Sequence, residues 1–338
     1  MTDASLPTLD DLERAAAIVY AAMPATPQYA WPLLSRRCGG GDGGSGRAVW
    51  VKHENHTPVG AFKVRGGLVY LDRLRRAEPR VEGIVSATRG NHGQSLGFAA
   101  ARHGVRALVV VPRGNSAEKN AAMRALGVEL VEEGEDFQDA VDAADRVAAA
   151  RGWHRTPSFH PWLVAGVGTY ALELFRGAPP LDTVYVPIGL GSGVCGTIAA
   201  RDALGLPTRV VGVVSAGAPA YLDSLAAGRV VSRPVSTRIA DGLACRTPVA
   251  EALAHVARGV ERVVAVSDDE VEDAMRALFS DTHNAAEGAG AAALAALLRD
   301  VRDGTAHPGA RVGVVLTGGN VDRDAFARVL AGGGASSS

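Results

Sequence analysis

Apolar and polar positions alternate along this chain in two different periods, and the switches between them outline its elements. Leu12, Ala15, Ile18, Val19 and Ala22 recur at helical spacing and predict a helix over Asp10–Met23, stopped by Pro24. Pro27–Arg37 reads as an extended segment, and the glycine-rich stretch Cys38–Gly46 as a flexible loop. From Ala48 onward short apolar runs predict strands at Ala48–Lys52, Gly83–Ala87, Val105–Val111, Val128–Val131, Thr183–Pro187, Val210–Val214, Val263–Val266 and Arg311–Leu316. Between them, helical periodicity covers Phe62–Ala77, Gln94–His103, Ala117–Leu126, Phe137–Ala150, Gly166–Leu174 and Val194–Ala203. It returns at Ala218–Ala227, Thr247–Ala254, Asp268–Ser280 and the alanine-rich Glu287–Arg302. Strands that alternate with helices of about 10–15 residues indicate βαβ units and open parallel sheets. The predicted class is therefore α/β. No composition break marks a linker, which favours one domain inserted in another, and Gly332–Ser338 is expected to be a disordered tail.

Composition narrows the function classes. The 338 residues are 47% hydrophobic and 21% charged, with net charge −1 and no Lys/Arg-dense run. That pattern argues against a nucleic-acid or membrane-surface role. Cys38, Cys195 and Cys245 are widely spaced and include no CxxC pair, so neither a disulfide framework nor a zinc site is expected. The amino-terminal segment has no basic region followed by an apolar core, and no apolar run is long enough to span a bilayer. A soluble, cytoplasmic protein is the expectation.

Only three lysines, Lys52, Lys63 and Lys119, occur among 35 Lys+Arg. A chain that otherwise uses arginine keeps lysine where an amine that can lose its proton matters. Lys63 lies between Phe62 and Val64 just after Thr57-Pro58-Val59-Gly60, in the stretch His53–Gly66, and fits either a Schiff-base lysine or an ordinary helix start.

Three further segments sit where open α/β sheets bind ligands, at the carboxyl ends of strands. Gly189-Leu190-Gly191-Ser192-Gly193 follows a strand and opens a helix, so its amides can converge on a phosphate. It also has the form of a dinucleotide loop (Gly191, Gly193, Gly196), and a plain tight turn fits as well. Thr88-Arg89-Gly90-Asn91-His92-Gly93 could bind a carboxylate and offer Asn91 to a phenolate-like oxygen, or simply cap a helix. The hydroxyl of Thr317, in Thr317-Gly318-Gly319-Asn320, could meet a ring nitrogen, or belong to a turn. Pyridoxal 5′-phosphate needs an amine, a phosphate cradle and partners for its ring nitrogen and O3′ together.

Taken in order, the motifs resemble the fold-type II pyridoxal-phosphate enzymes, specifically the threonine/serine dehydratase and serine racemase group. The resemblance rests on His53-Glu54-Asn55 through Phe62-Lys63-Val64-Arg65-Gly66, Gly90-Asn91-His92-Gly93-Gln94, Gly189–Gly193, Ala240-Asp241-Gly242, Glu287–Ala293 and Thr317-Gly318-Gly319-Asn320. It implies a tryptophan-synthase-β-like fold, with residues 1–72 and 157–338 in a large cofactor-binding domain and 82–154 in a smaller mobile one. It implies pyridoxal phosphate held by Lys63, with Phe62 beside the ring and residues 189–193 on the phosphate. Asn91 would meet O3′ and Thr317 the pyridine nitrogen, while Thr88, Arg89, Gly90, Asn91 and His92 would bind the substrate carboxylate. A homodimer follows from the resemblance alone.

The implied activity is an ammonia-lyase (dehydratase) acting on a threonine- or serine-type β-hydroxy amino acid. A racemase or β-replacement synthase with the same cofactor is the alternative, and a nucleotide-binding module the non-catalytic one. Arg89 stands where racemases of the group carry a serine, which disfavours racemisation because arginine is a poor proton donor. Arg89 and Arg246 could instead recognise a second carboxylate, as on a 3-hydroxyaspartate-like substrate. Val214-Ser215-Ala216-Gly217 carries no carboxylate where metal-dependent members place two, so no metal is expected, with Asp223 a weak fallback. Glu287-Gly288 replaces the usual Glu-Pro. No regulatory domain is expected beyond residue 330.

Overall fold

The computed structural model describes residues 5–40, 46–135, 137–306 and 310–332. The glycine-rich stretch of the predicted Cys38–Gly46 loop (41–45) and nearly all of the predicted tail (333–338) lie outside the described residues. Among the described residues, ten strands form two sheets. They are β1 (Gln28–Ala30), β2 (Ala48–His53), β3 (Gly83–Ala87), β4 (Arg106–Val111), β5 (Glu129–Glu132), β6 (His154–Arg155), β7 (Thr183–Pro187), β8 (Arg209–Ser215), β9 (Arg262–Val266) and β10 (Arg311–Leu316). One sheet has the order β1-β2-β10-β7-β8-β9 and the other β5-β4-β3-β6. Every pairing is parallel except that of β1 with β2. The α/β class with parallel sheets is as the sequence implied.

Burial explains the composition of each strand. The central strands β3 and β7 are buried along their whole length, and accordingly read as apolar runs without alternation. The edge strand β5 keeps a glutamate exposed at each end. Parallel register brings Leu316 level with His53 and Val266 level with Ser215, so the carboxyl ends of the larger sheet form one rim.

Helix Lys63–Ala77 joins the two sheets. It packs against helix Asn91–Arg102 on one side and helix Pro161–Gly177 on the other. The second crossing is close enough to demand glycine: a Cβ on Gly166 would lie 2.3 Å from the Arg65 carbonyl oxygen.

Proline explains two of the places where the chain departs from its sequence pattern. Pro27–Arg37 is not extended throughout; after β1, Pro32–Arg37 is a helix with Pro32 in its first turn. Helix Pro161–Gly177 likewise begins five residues before the predicted Gly166 start, with Pro161 in its first turn and His160 Nδ1 accepting from Trp162 N at 3.1 Å. Proline lacks an amide hydrogen that the first helical turn does not use, so it starts helices as readily as it breaks them. Helix Arg323–Leu330, which the sequence pattern did not reveal, follows Asp322.

Candidate active site

Lys63 opens its helix on the rim of the larger sheet. The Phe62 N–H donates to the Thr317 carbonyl at 2.9 Å, which ties the lysine's neighbour to the end of β10. Ser95 Oγ donates to the Lys63 carbonyl at 2.6 Å, tying it to helix Asn91–Arg102. The Lys63 ammonium lies 4.7 Å from the centre of the Phe62 ring. Among the described residues no hydrogen bond to Lys63 Nζ is found. Burial pushes its pKa below the ordinary lysine value, against the opposing pull of the Glu287 carboxylate. Desolvation disfavours the ammonium, so the amine becomes available nearer to neutral pH.

The glycine loop lies at the end of β7. Gly191 adopts φ +105°, and a Cβ there would lie 2.7 Å from Ala252 Cβ and 2.9 Å from Tyr221 Oη. A Cβ on Gly189 would lie 2.4 Å from the Gly242 carbonyl oxygen. Bare backbone is therefore required where helix Ser192–Ala203 begins, and the first turn of that helix has amide hydrogens without intrahelical acceptors. This is a fitting seat for a phosphate. Leu190 is fixed from behind by Tyr221, whose hydroxyl donates to its carbonyl at 2.9 Å. Tyr170 donates to the Gly193 carbonyl at 2.9 Å and stands edge-on to Phe62, with ring centres 6.1 Å apart. The phosphate seat and the lysine thus share one support.

Residues 88–92 run from the end of β3 into helix Asn91–Arg102. Thr88 is buried, and its hydroxyl accepts from Gly90 N at 3.1 Å. Gly90 is overlaid by the Lys119 side chain: a Cβ there would lie 2.6 Å from Lys119 Cδ. Asn91 Nδ2 donates to Glu287 Oε1 at 2.6 Å, and Glu287 Oε2 lies 3.6 Å from Lys119 Nζ. His92 is buried with no hydrogen-bond partner for its Nε2. Its pKa falls to about 3 through burial first and the nearby positive charges of Lys63 and Arg155 second, so it is a neutral imidazole. Arg89 points an exposed side chain from the same loop. Arg246 is also exposed, on a segment whose carbonyl accepts from Arg233 N at 2.9 Å.

Phe62, Lys63, Asn91, His92, Gly193 and Thr317 are therefore brought near one another by these contacts. Thr317 is buried, and its hydroxyl donates to the Ala289 carbonyl in a long 3.4 Å contact, which leaves the lone pairs of its oxygen for another donor. Glu287, Lys119 and Ser95 join this group although residue pattern alone gave them no role. Lys119 carried a signal in being one of the three lysines; the contacts of Glu287 and Ser95 arise only from tertiary packing. The donor set fits pyridoxal phosphate: an amine of lowered pKa, a bare-backbone anion seat and neutral polar groups between them. Among the described residues no cluster of metal-ligating side chains is found, and no helix is long and apolar enough to cross a membrane.

Known proteins resemble this chain in sequence and in fold. The chain is 32% identical to the L-threonine ammonia-lyase of Thermotoga maritima over 326 residues, covering 96% of this chain and 78% of that one. A pyridoxal 5′-phosphate-dependent aspartate racemase superposes with TM-score 0.88 at 28% identity, covering 94% of this chain and 97% of its own. The processed form of threonine deaminase isoform 2 from Solanum lycopersicum superposes with TM-score 0.86 at 26% identity, covering 97% and 95%. Residues 25–318 match the pyridoxal-phosphate dependent enzyme family, and the chain belongs to that family.

Proposed function

We propose that the protein is an ammonia-lyase that removes water from a β-hydroxy amino acid and yields a 2-oxo acid and ammonia. The observation that carries this reading is Lys63, an amine of lowered pKa, joined through Phe62 to Thr317 and facing the Asn91–Glu287 pair. The likeness to threonine ammonia-lyases supports the reaction class.

When bound, pyridoxal phosphate supplies the electron sink that makes the substrate's α C–H acidic. Lys63 would hold the cofactor through its amine, and its free amine would take the substrate's α-proton at Nζ. The amides of Gly189–Gly193 would hold the phosphate, with Phe62 beside the ring. The neutral hydroxyl of Thr317 would meet the pyridine nitrogen without holding it protonated, which would favour elimination over transamination. The loop Thr88–His92 takes the substrate carboxylate, and His92, being neutral, adds no competing charge. Arg89 and Arg246 give the site its preference for a substrate with a second carboxylate, of the 3-hydroxyaspartate kind. The part of the chain built on the four-stranded sheet moves as the smaller domain, and the enzyme works as a homodimer.

The test is a screen for 2-oxo acid release with threonine, serine and both diastereomers of 3-hydroxyaspartate, with chiral analysis of recovered substrate. The reading expects oxo-acid release and unaltered configuration. Inverted substrate without oxo acid would assign the chain to the racemase branch that its likeness to an aspartate racemase keeps in view.

A further inference from the structure

A chain of hydrogen bonds behind Asn91 starts from a backbone carbonyl, and its direction can be read without ambiguity. Asn320 Nδ2 donates to the Val59 carbonyl at 2.8 Å. A carbonyl only accepts, so the amide of Asn320 has one permitted orientation. The same Nδ2 lies 2.9 Å from Asn91 Oδ1, which must then be the acceptor. Asn91 Nδ2 consequently faces Glu287 Oε1 at 2.6 Å, and the carboxylate can only accept. Lys119 balances the far oxygen of Glu287 at 3.6 Å. Each link fixes the next. An inverted Asn91 would set oxygen against carboxylate and amine against amine.

The backbone around this chain is built to hold it. Gly60 adopts φ +69°, and a Cβ there would lie 2.5 Å from Asn320 Oδ1. Gly319 N donates to the Gly60 carbonyl at 2.9 Å, clamping the segment that carries Asn320 onto the turn that carries Val59. The segment therefore joins the lysine turn, the end of β10 and the carboxylate loop.

We propose that Asn320 and Glu287 are positioning residues that lock the Asn91 amide so that it offers its remaining N–H to the phenolic oxygen of pyridoxal phosphate. The inference rests on the reading that Asn91 touches that oxygen. Lys119 acts one step further back, by holding Glu287 in place. The locked amide favours the deprotonated phenolic oxygen, and with it the form of the cofactor that absorbs in the visible.

The test compares Asn91→Ala with Asn320→Asp in protein saturated with pyridoxal phosphate, reading the visible absorbance band and its pH titration. Cofactor affinity of the apoprotein is measured alongside by fluorescence. A carboxylate in place of the Asn320 amide cannot donate to Asn91 and draws the Asn91 amide round. The expected results are an altered band in both variants and cofactor binding roughly tenfold weaker, the effect of about one lost buried hydrogen bond. Glu287→Gln keeps an acceptor for Asn91 and is expected to leave the band closer to that of the parent. If Asn91→Ala leaves the band unchanged, the contact between Asn91 and the cofactor is wrong. If Asn91→Ala alters it and Asn320→Asp does not, the relay is wrong and the contact stands. Should Asn320→Asp fail to fold, Asn320→Ala removes the same donor pair and is read against the same two outcomes.

Discussion

Lys52 and Lys63 stand close in sequence, and both are buried amines of lowered pKa, yet their surroundings are opposites. Lys52 Nζ donates to the Thr26 carbonyl at 2.8 Å and to Glu173 Oε2 at 2.5 Å. Around it Arg65 reaches Glu54 through Nε at 2.7 Å, and Glu173 through Nη1 at 2.6 Å and Nη2 at 2.9 Å. Two cations and two carboxylates close on one another, tying β2, helix Lys63–Ala77 and helix Pro161–Gly177 together. Lys63 faces a ring and one carboxylate already engaged by Asn91 and Lys119. Burial lowers the pKa in both places, but only the ungripped amine is free to react. A saturated cluster holds geometry, and the unsaturated one beside it does chemistry.

The sharpest break between the two regions comes from removing each amine in turn. Lys63→Ala is expected to abolish the visible absorbance of bound cofactor and to lower kcat for 2-oxo acid release by at least ~10³-fold, as loss of nucleophile and base together. Lys52→Met should keep the absorbance and lose stability instead. Retention of both absorbance and turnover by Lys63→Ala would remove the basis of the comparison.

Next in size is Arg65→Met, which leaves Glu54 and Glu173 buried without their shared cation. Destabilisation of about 3–5 kcal/mol is expected in denaturant unfolding. Adding Glu54→Gln to it should restore part of the loss, because the two sites share one network. A cost no larger than that of an exposed pair would mean that the cluster does not hold the fold.

Each region also contains one buried histidine, and acid separates them. Burial lowers His53 to about 4 and His92 to about 3, both from the ordinary value of 6.5. The unfolded chain therefore takes up these protons first, so their stabilising contribution is complete above about pH 6.5. It is lost progressively as pH falls toward 4 for His53 and 3 for His92. Tm measured from pH 7 to 4 should fall, and His53→Asn should flatten the upper part of that fall. An unchanged slope in the variant would show that His53 takes no part.

The smallest expected effect tests specificity. Arg89→Ala should leave the cofactor absorbance intact and raise KM about tenfold for 3-hydroxyaspartate, with little change for threonine. Equal changes for both substrates would assign Arg89 to the common carboxylate.

Much of this was legible before any coordinates. Strands buried on both faces must be apolar throughout, so β3 and β7 are plain in the sequence. Lysine scarcity narrowed the amine to three candidates, and the order of the motifs around Lys63 chose among them. The helix at Pro32–Arg37 was hidden because proline means opposite things at a helix start and in a helix interior. Glu287 and Asn320 meet Asn91 across 196 and 229 positions of chain, and no local pattern encodes such a meeting.

The three lysines also amount to a set of built-in chemical reporters. An amine-directed acylating reagent has one side-chain target in each layer of the molecule. Lys63 should be modified first and be protected by pyridoxal phosphate. Lys119, bridging helix Ala117–Ala125 to Glu287, should follow at the rate at which the two sheets part. Lys52, sealed inside its ion cluster, should be labelled only as the whole chain unfolds. Mass spectrometry of three peptides would thus time cofactor release, separation of the sheets and global unfolding in one experiment.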